Sequence, residues 1–311
     1  MMDLSVIIPA RNEIFLQKTI ENILENARAN TEIIAILDGY WPAPPIYDHP
    51  NVIIVHHTDS IGQRAATNEG VRISQAKYVM KCDAHCAFDI GFDVKLIDGY
   101  EPDWTLVPLM YNLHGFDWQC RNCENRTYQG PQPEFCGVCL QNRGFEMVIV
   151  WAPRWKRITY SWRFDKELNF QYWQAHRKRP ETRRGRYIET MSLIGACFFM
   201  SRDRYWELDG LDEAHGSWGQ VGTEIACKSW LSGGKLLTSK KTWFAHMFRT
   251  QNKGFSFPYE ISGRDVQKAK EYSKDLWLND KWPKAKYKLE WLIDKFKPVP
   301  DWHFEGQIEN G

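Results

Sequence analysis

No stretch of the 311-residue chain approaches the roughly 20 consecutive apolar residues that a bilayer-spanning helix requires. No secretory leader is expected, because the strand-like run Leu4 to Pro9 begins almost at the first residue. Internal repeats and low-complexity linkers are absent. Neither sign of charge dominates: 40 Lys and Arg stand against 39 Asp and Glu, for a net charge of +1. That balance excludes a uniformly basic nucleic-acid binder, although it permits a locally basic surface. The eight cysteines are not spread like a disulfide framework, since four of them form two tight pairs. These absences predict a cytoplasmic globular protein with no membrane partner.

What the chain does have is strand–helix alternation. Leu4 to Pro9 is a continuous apolar run, as expected of a parallel strand buried on both faces. Ile14 to Ala27 carries apolar residues at helical spacing. Strands are expected at Glu32 to Leu37, Asn51 to His56, Lys77 to Cys82 and Thr105 to Tyr111, with a helix from Gly62 to about Ser74. Further on, Ser192 to Ser201 reads as a buried strand and Thr223 to Ser232 as a helix stopped by Gly233-Gly234. Helices rich in Trp and Lys follow Gly263. Several strands end on polar residues, at the edge where open α/β sheets bind ligands.

Lys81-Cys82-Asp83-Ala84-His85-Cys86 places an Asp and a His two residues apart at a strand end, where both can face one cation. A nucleoside diphosphate leaving group needs such a cation to neutralise the charge it gains. Alone, D-x-H is a weak signal. Here the segments Leu4 to Glu13 (LSVIIPARNE), Glu32 to Gly39 (EIIAILDG) and Gly62 to Asp83 resemble the nucleotide-binding half of GT-A glycosyltransferases. Asp83-Ala84-His85-Cys86 resembles the D-x-H-C of polypeptide N-acetylgalactosaminyltransferases. Trp218-Gly219 through Glu224-Ile225 to Trp230 and Gly233-Gly234 is similar to that family's W-G…E-I…W…G-G segment, and Ala245-His246-Met247-Phe248-Arg249 to its G-H-V-F-R.

The resemblance implies an α/β GT-A fold, Rossmann-like with a mostly parallel sheet, and a nucleotide-sugar donor, with a UDP-sugar expected. It implies that Asp83, His85 and His246 hold a divalent ion. Two imidazoles and a carboxylate suit manganese better than magnesium. Asp38 would hold the nucleoside, with Pro9 and Glu13 beside it and Gly62 nearby, while Arg249 would belong to a mobile segment near the diphosphate. The chain also departs from the family. The acid pair that supplies a base in inverting relatives falls on Val221-Gly222. Glu224, the nearest carboxylate, is read either as catalytic or as a charge facing its helix dipole. Thr67-Asn68 stands where inverting relatives carry Arg-Asn, with Arg64 one turn earlier as a candidate replacement cation. The missing acids favour a retaining reaction, in which the departing phosphate takes the acceptor proton.

Cys120-x-x-Cys123, twelve intervening residues and Cys136-x-x-Cys139 have the spacing of a four-thiolate zinc ribbon, closed and therefore structural. The expected organisation is a nucleotide-sugar half (1–112), the ribbon (113–145), an acceptor-side half (146–255) and a helical extension (256–311). Trp151, Trp155, Arg179, Arg183, Arg184 and Arg186 form an aromatic and basic middle. With Trp218, they are candidates for acceptor binding. They suggest a nucleic-acid acceptor, such as a hydroxymethylated DNA base. The alternatives are a saccharide, lipid-linked or protein acceptor, or an inactive binding module.

Overall fold

The computed structural model describes residues 2–249, 259 and 261–302. β1 (Leu4–Ala10), α1 (Leu16–Asn26), β2 (Thr31–Asp38), β3 (Val52–His57), α2 (Gln63–Ile73) and β4 (Tyr78–Cys82) follow in turn. Then come β5 (Cys86–Phe88), α3 (Phe92–Ile97), a long β6 (Trp104–Cys120), β7 (Arg126–Tyr128) and β8 (Phe145–Thr159). The short β9 (Trp162–Phe164), β10 (Phe170–Tyr172), α4 (Pro180–Arg183) and β11 (Tyr187–Glu189) lead to β12 (Cys197–Ser201) and α5 (Arg202–Glu207). The described chain ends with α6 (Val221–Leu231), β13 (Lys235–His246), α7 (Gly263–Leu278) and α8 (Leu289–Lys295).

The main sheet has the order β11-β13-β6-β12-β4-β1-β2-β3. Its first-built half, β3-β2-β1-β4, is parallel throughout. Leu4, Val6, Ile7 and Ile8 of β1 are fully buried, as the unbroken apolar run requires. α2 closes on this half through Gly70, where a Cβ would lie 2.4 Å from Ile7 Cγ2. β12 enters antiparallel to both β4 and β6, which makes the sheet as a whole mixed. That reversal turns β6 and β13 back into the direction of β4, so β13 delivers its last residue, His246, to the edge where β1, β2 and β4 end.

Two expected strands change length. The Ser192 to Ser201 strand shrinks to Cys197–Ser201, because residues 193–195 turn to pack on the start of α6. The Thr105 to Tyr111 strand extends to Cys120. Up to Asn112 it pairs with β13; beyond Asn112 it continues past the sheet edge, paired with β8 and β7, as a two-sided arm. At strand rise, the eight residues from Asn112 to Cys120 carry the arm about 25 Å outward. β6 thus runs unbroken through residue 112, and the four-cysteine insertion grows out of the sheet. The expected boundary at 255/256 lies outside the described residues. No described helix is long and apolar enough to cross a membrane.

Candidate active site

Strand ends build the site. β4 ends at Cys82, and the chain turns through Asp83 and His85 into β5. β5 pairs antiparallel with β13 in a register that sets Cys86 opposite His246, and the Met247 amide donates to the His85 carbonyl at 3.2 Å. The two histidines, 161 residues apart in sequence, are therefore neighbours: Nε2 lies 3.1 Å from Nε2. His246 Nε2 is also 3.1 Å from Asp83 Oδ2. One ligand atom from each of Asp83, His85 and His246 falls within 4.8 Å of the others. Cis ligands around a cation with bonds near 2.1 Å are about 3 Å apart, so the three groups fit a divalent ion.

The charges around this cluster favour the ligand form of each group. Burial pushes the Asp83 carboxyl up, but the Lys81 ammonium and His246 outweigh it and hold Asp83 well below the usual carboxylate range. Lys81, itself buried, donates to Asp83 Oδ1 and to the Gly195 carbonyl. Burial lowers the pKa of His246, keeping its imidazole neutral. Glu13 backs the cluster, 3.5 Å from His85 Nδ1 and 2.7 Å from the Arg249 guanidinium.

A cavity of about 260 Å³ opens beside the cluster, lined by Pro9, Glu13, Asp38, Gly62, Asp83, His85, Trp218, His246 and Arg249 among others. Asp38 accepts from Ser60 Oγ at 2.8 Å and from the Ile61 and Gly62 amides. These bonds fix its carboxylate at the end of β2. Gly62 has φ +87°, and a Cβ there would sit 2.9 Å from Ser217 Cα, so glycine lets the Trp218 loop close over the start of α2.

Two expected site residues lie elsewhere. Arg64 is buried, bonding Glu224 at 3.0 Å and the carbonyls of Gly216 and Gly219. It positions the Trp218 loop and does not line the cavity. Glu224 is fully buried between Arg64 and Lys228. Burial raises its pKa, yet Lys228 and Arg64 bring it down to about 2. It is a structural counter-ion, close to the helix-charge alternative. The missing acid pair also has a steric reason: a Cβ on Gly222 would lie 2.1 Å from the Leu193 carbonyl oxygen.

The aromatic and basic middle is dispersed. Trp151 is buried at φ +52° against Phe15. Trp155 is exposed but leans on Tyr111 and Trp243, on the strand face opposite His246. Arg179 covers the Trp173 ring and donates to the carbonyls of Phe296 and Pro298, clamping the C-terminal segment. Arg183, Arg184 and Arg186 are exposed. They precede β11, which pairs with residues 237–239 of β13, about 20 Å along the strand from His246.

The structure adds cavity residues that no sequence signal had singled out. Gln63 reaches Asp83 Oδ1 at 3.4 Å, and Asp265 at the start of α7 lines the far wall. Arg11 also lines the cavity, its guanidinium over the rings of Tyr40 and Tyr259 and its Nε buried without a partner. Arg11 was legible only as part of an R-N-E run after β1; its direction depends on rings from other segments.

At the tip of the arm, Cys120 Sγ lies 3.7 Å from Cys139 Sγ, and Cys123 Sγ 3.5 Å from Cys136 Sγ. A zinc tetrahedron with bonds near 2.3 Å has edges of about 3.8 Å, so the four thiols are compatible with one structural zinc. The amides of Asn122 and Val138 turn toward Cys120 and Cys136 in the two knuckles. Cys82, Cys86 and Cys197 are buried thiols whose pKa values burial raises, which leaves them inert.

Comparison with known proteins agrees with this geometry. Residues 5–117 match the family described as Glycosyl transferase family 2. Over those residues the chain is similar to a family 2 glycosyltransferase domain. Over 125 residues it is 25% identical to "Probable N-acetylgalactosaminyltransferase 9" of Caenorhabditis elegans, covering 38% of this chain and 21% of that protein. Over 57 residues it is 33% identical to N-acetylgalactosaminyltransferase 6 of Drosophila melanogaster, covering 18% of this chain and 9% of that protein. The chain thus spans about a fifth or less of these relatives. Its fold is GT-A: the crystal structure of GalNAc-T7 with UDP, GalNAc and Mn2+ superposes with a TM-score of 0.61 at 17% identity, over 89% of this chain and 48% of that one.

Proposed function

We propose that the chain is a metal-dependent glycosyltransferase that moves a sugar from a UDP-sugar to a hydroxyl acceptor. The observation that carries this reading is the convergence of Asp83, His85 and His246 at the sheet edge, beside the cavity that Asp38 and Gly62 border. The structure of GalNAc-T7 with UDP, GalNAc and Mn2+ on the same fold supports manganese and a UDP-sugar. A divalent ion held by the three residues would neutralise charge on the departing diphosphate. Asp38 orients the nucleoside, and Arg249, held by Glu13, presents its guanidinium to the cavity. Retention fits a site in which no acid occupies 221–222 and Glu224 is spent on Arg64 and Lys228.

A hydroxymethylated DNA base as acceptor finds no support. Trp151 is buried, Arg179 is engaged by Trp173 and the Phe296 and Pro298 carbonyls, and the remaining arginines sit at the far end of β13. Incubating the protein with UDP-sugars and manganese should release UDP, and a chelator should stop it. His246→Ala should stay folded while losing at least about 100-fold of the turnover, as expected when a group acting on the transition state goes. Undiminished UDP release by that variant would remove the proposal.

A further inference from the structure

The β6–β8 arm adds nothing to the cavity lining, yet one of its faces continues directly from the metal cluster. β6 and β13 are parallel with Asn112 in register with His246, so the two side chains share a face. His114, two residues on, lies on that same face, about 8 Å from His246 between Cα atoms by strand geometry. Arg154 on β8 is in register with Asn112. The other face carries Leu113, Trp151 and Met247, which form a small apolar core with Phe15. Gly115 belongs to that contact, since a Cβ there would lie 2.9 Å from Met247 Sδ.

On the polar face His114 Nε2 meets Asp117 Oδ1 at 2.6 Å. The His114 and Tyr128 rings are 4.7 Å apart, and Arg154 donates to the Tyr128 hydroxyl at 3.1 Å while its guanidinium lies over the ring. His114 and Asp117 are half-buried, with 26% and 14% of their side chains exposed. In the neutral imidazole, a carboxylate on Nε2 holds the proton there and leaves Nδ1 as an acceptor.

We propose that this face is the acceptor-binding wall, and that it takes a saccharide. The inference rests on the transferase reading above. An acceptor must reach the sugar–phosphate bond from a surface the nucleotide leaves free, and the arm is a wall adjoining His246 that the cavity does not use. The groups on it alternate in sense: His114 Nδ1 accepts, the Arg154 guanidinium donates, and the Asn112 amide does both. Neighbouring sugar hydroxyls, each donor and acceptor, match that alternation. A polyanion does not, because Asp117 lies in the same face. His114 and Arg154 thereby act as specificity residues beside the reacting hydroxyl, with Asp117 positioning His114.

The test uses the full chain with manganese, UDP-sugars, and two acceptor sets: p-nitrophenyl glycosides and a Ser/Thr peptide. His114→Ala and Asp117→Asn should each raise the glycoside KM by about tenfold, the loss of one hydrogen bond. Donor KM and donor hydrolysis without acceptor should not change. Asp117→Asn keeps the shape and frees the wrong tautomer, so an effect equal to that of His114→Ala separates positioning from bulk. Wild-type glycoside KM in both variants overturns the inference, and transfer to the peptide alone overturns the saccharide assignment. Absence of any UDP release by the wild type would instead remove the transferase reading, and this wall with it.

Discussion

Glu224→Gln removes the negative charge that Arg64, Lys228 and the Asp212 amide share inside the molecule. Because it leaves two buried cations short of a partner, it should destabilise the fold by about 3–5 kcal/mol in urea unfolding. Neither Glu224 nor Arg64 lines the cavity, but Arg64 holds the Trp218 loop that does, so the folded variant should retain UDP binding at a weaker affinity. A variant with full stability and no turnover would restore the catalytic alternative. Two candidate ligands two positions apart at a strand end are legible because local geometry alone brings them together. Arg64 is the second residue of α2, near the site, but its direction is set by Glu224, 160 residues away.

At the scale of elements, the apolar core of β6 was readable to Tyr111 and its extension was not. Beyond Asn112 the strand loses its unbroken apolar character, contains Gly115, and owes its form to β8, which pairs with it from some 30 residues downstream. The cysteines close the far end of that ribbon. Metal analysis should find about one zinc per chain, tightly held, and Cys136→Ser should lose it. Hydrogen exchange in that variant should rise from Phe116 to Phe145, while the Asp83–His246 edge stays protected, because β13 and β5 hold it independently. A second element rests on a glycine: Gly222→Ala sets a methyl group against the Leu193 carbonyl. It should push α6 away from the 193–195 turn and cost about 1–3 kcal/mol as overpacking. The same crowding explains why an acid could not be restored there by substitution.

For the whole molecule, Arg179 and the buried His176 beside it clamp the segment that follows α8. His176 is 3% exposed, stacked on Trp173 and packed against Phe296, with Ser161 Oγ 2.5 Å from Nδ1. Burial, helped by Arg179, lowers its pKa to about 4. The unfolded chain takes up this proton near pH 6.5 and the folded chain only near 4. The stability due to a neutral His176 is therefore complete above about pH 6.5 and is lost as pH falls toward 4. Urea midpoints measured from pH 7 to 4 should fall, and less steeply in His176→Gln. An identical slope in the two proteins would show that other groups set the acid sensitivity.

The sequence by itself determined the elements and the chemistry written in short spacing: the parallel half of the sheet, the Asp83-x-His85 pair and the two cysteine knuckles. Each depends on backbone periodicity or on residues within one turn, which local sterics and burial fix without a partner. Only the tertiary structure decided which distant side chains share those sites. It reversed β12, so that β6 and β13 run toward the same edge as β4, and it drew Arg64 and Trp151 into the interior and laid Arg179 over Trp173. It also carried the second half of β6 outward beside His246. Charges and rings of that kind have long side chains and several rotamers, and their direction is chosen by whichever buried partner offsets the cost of desolvating them.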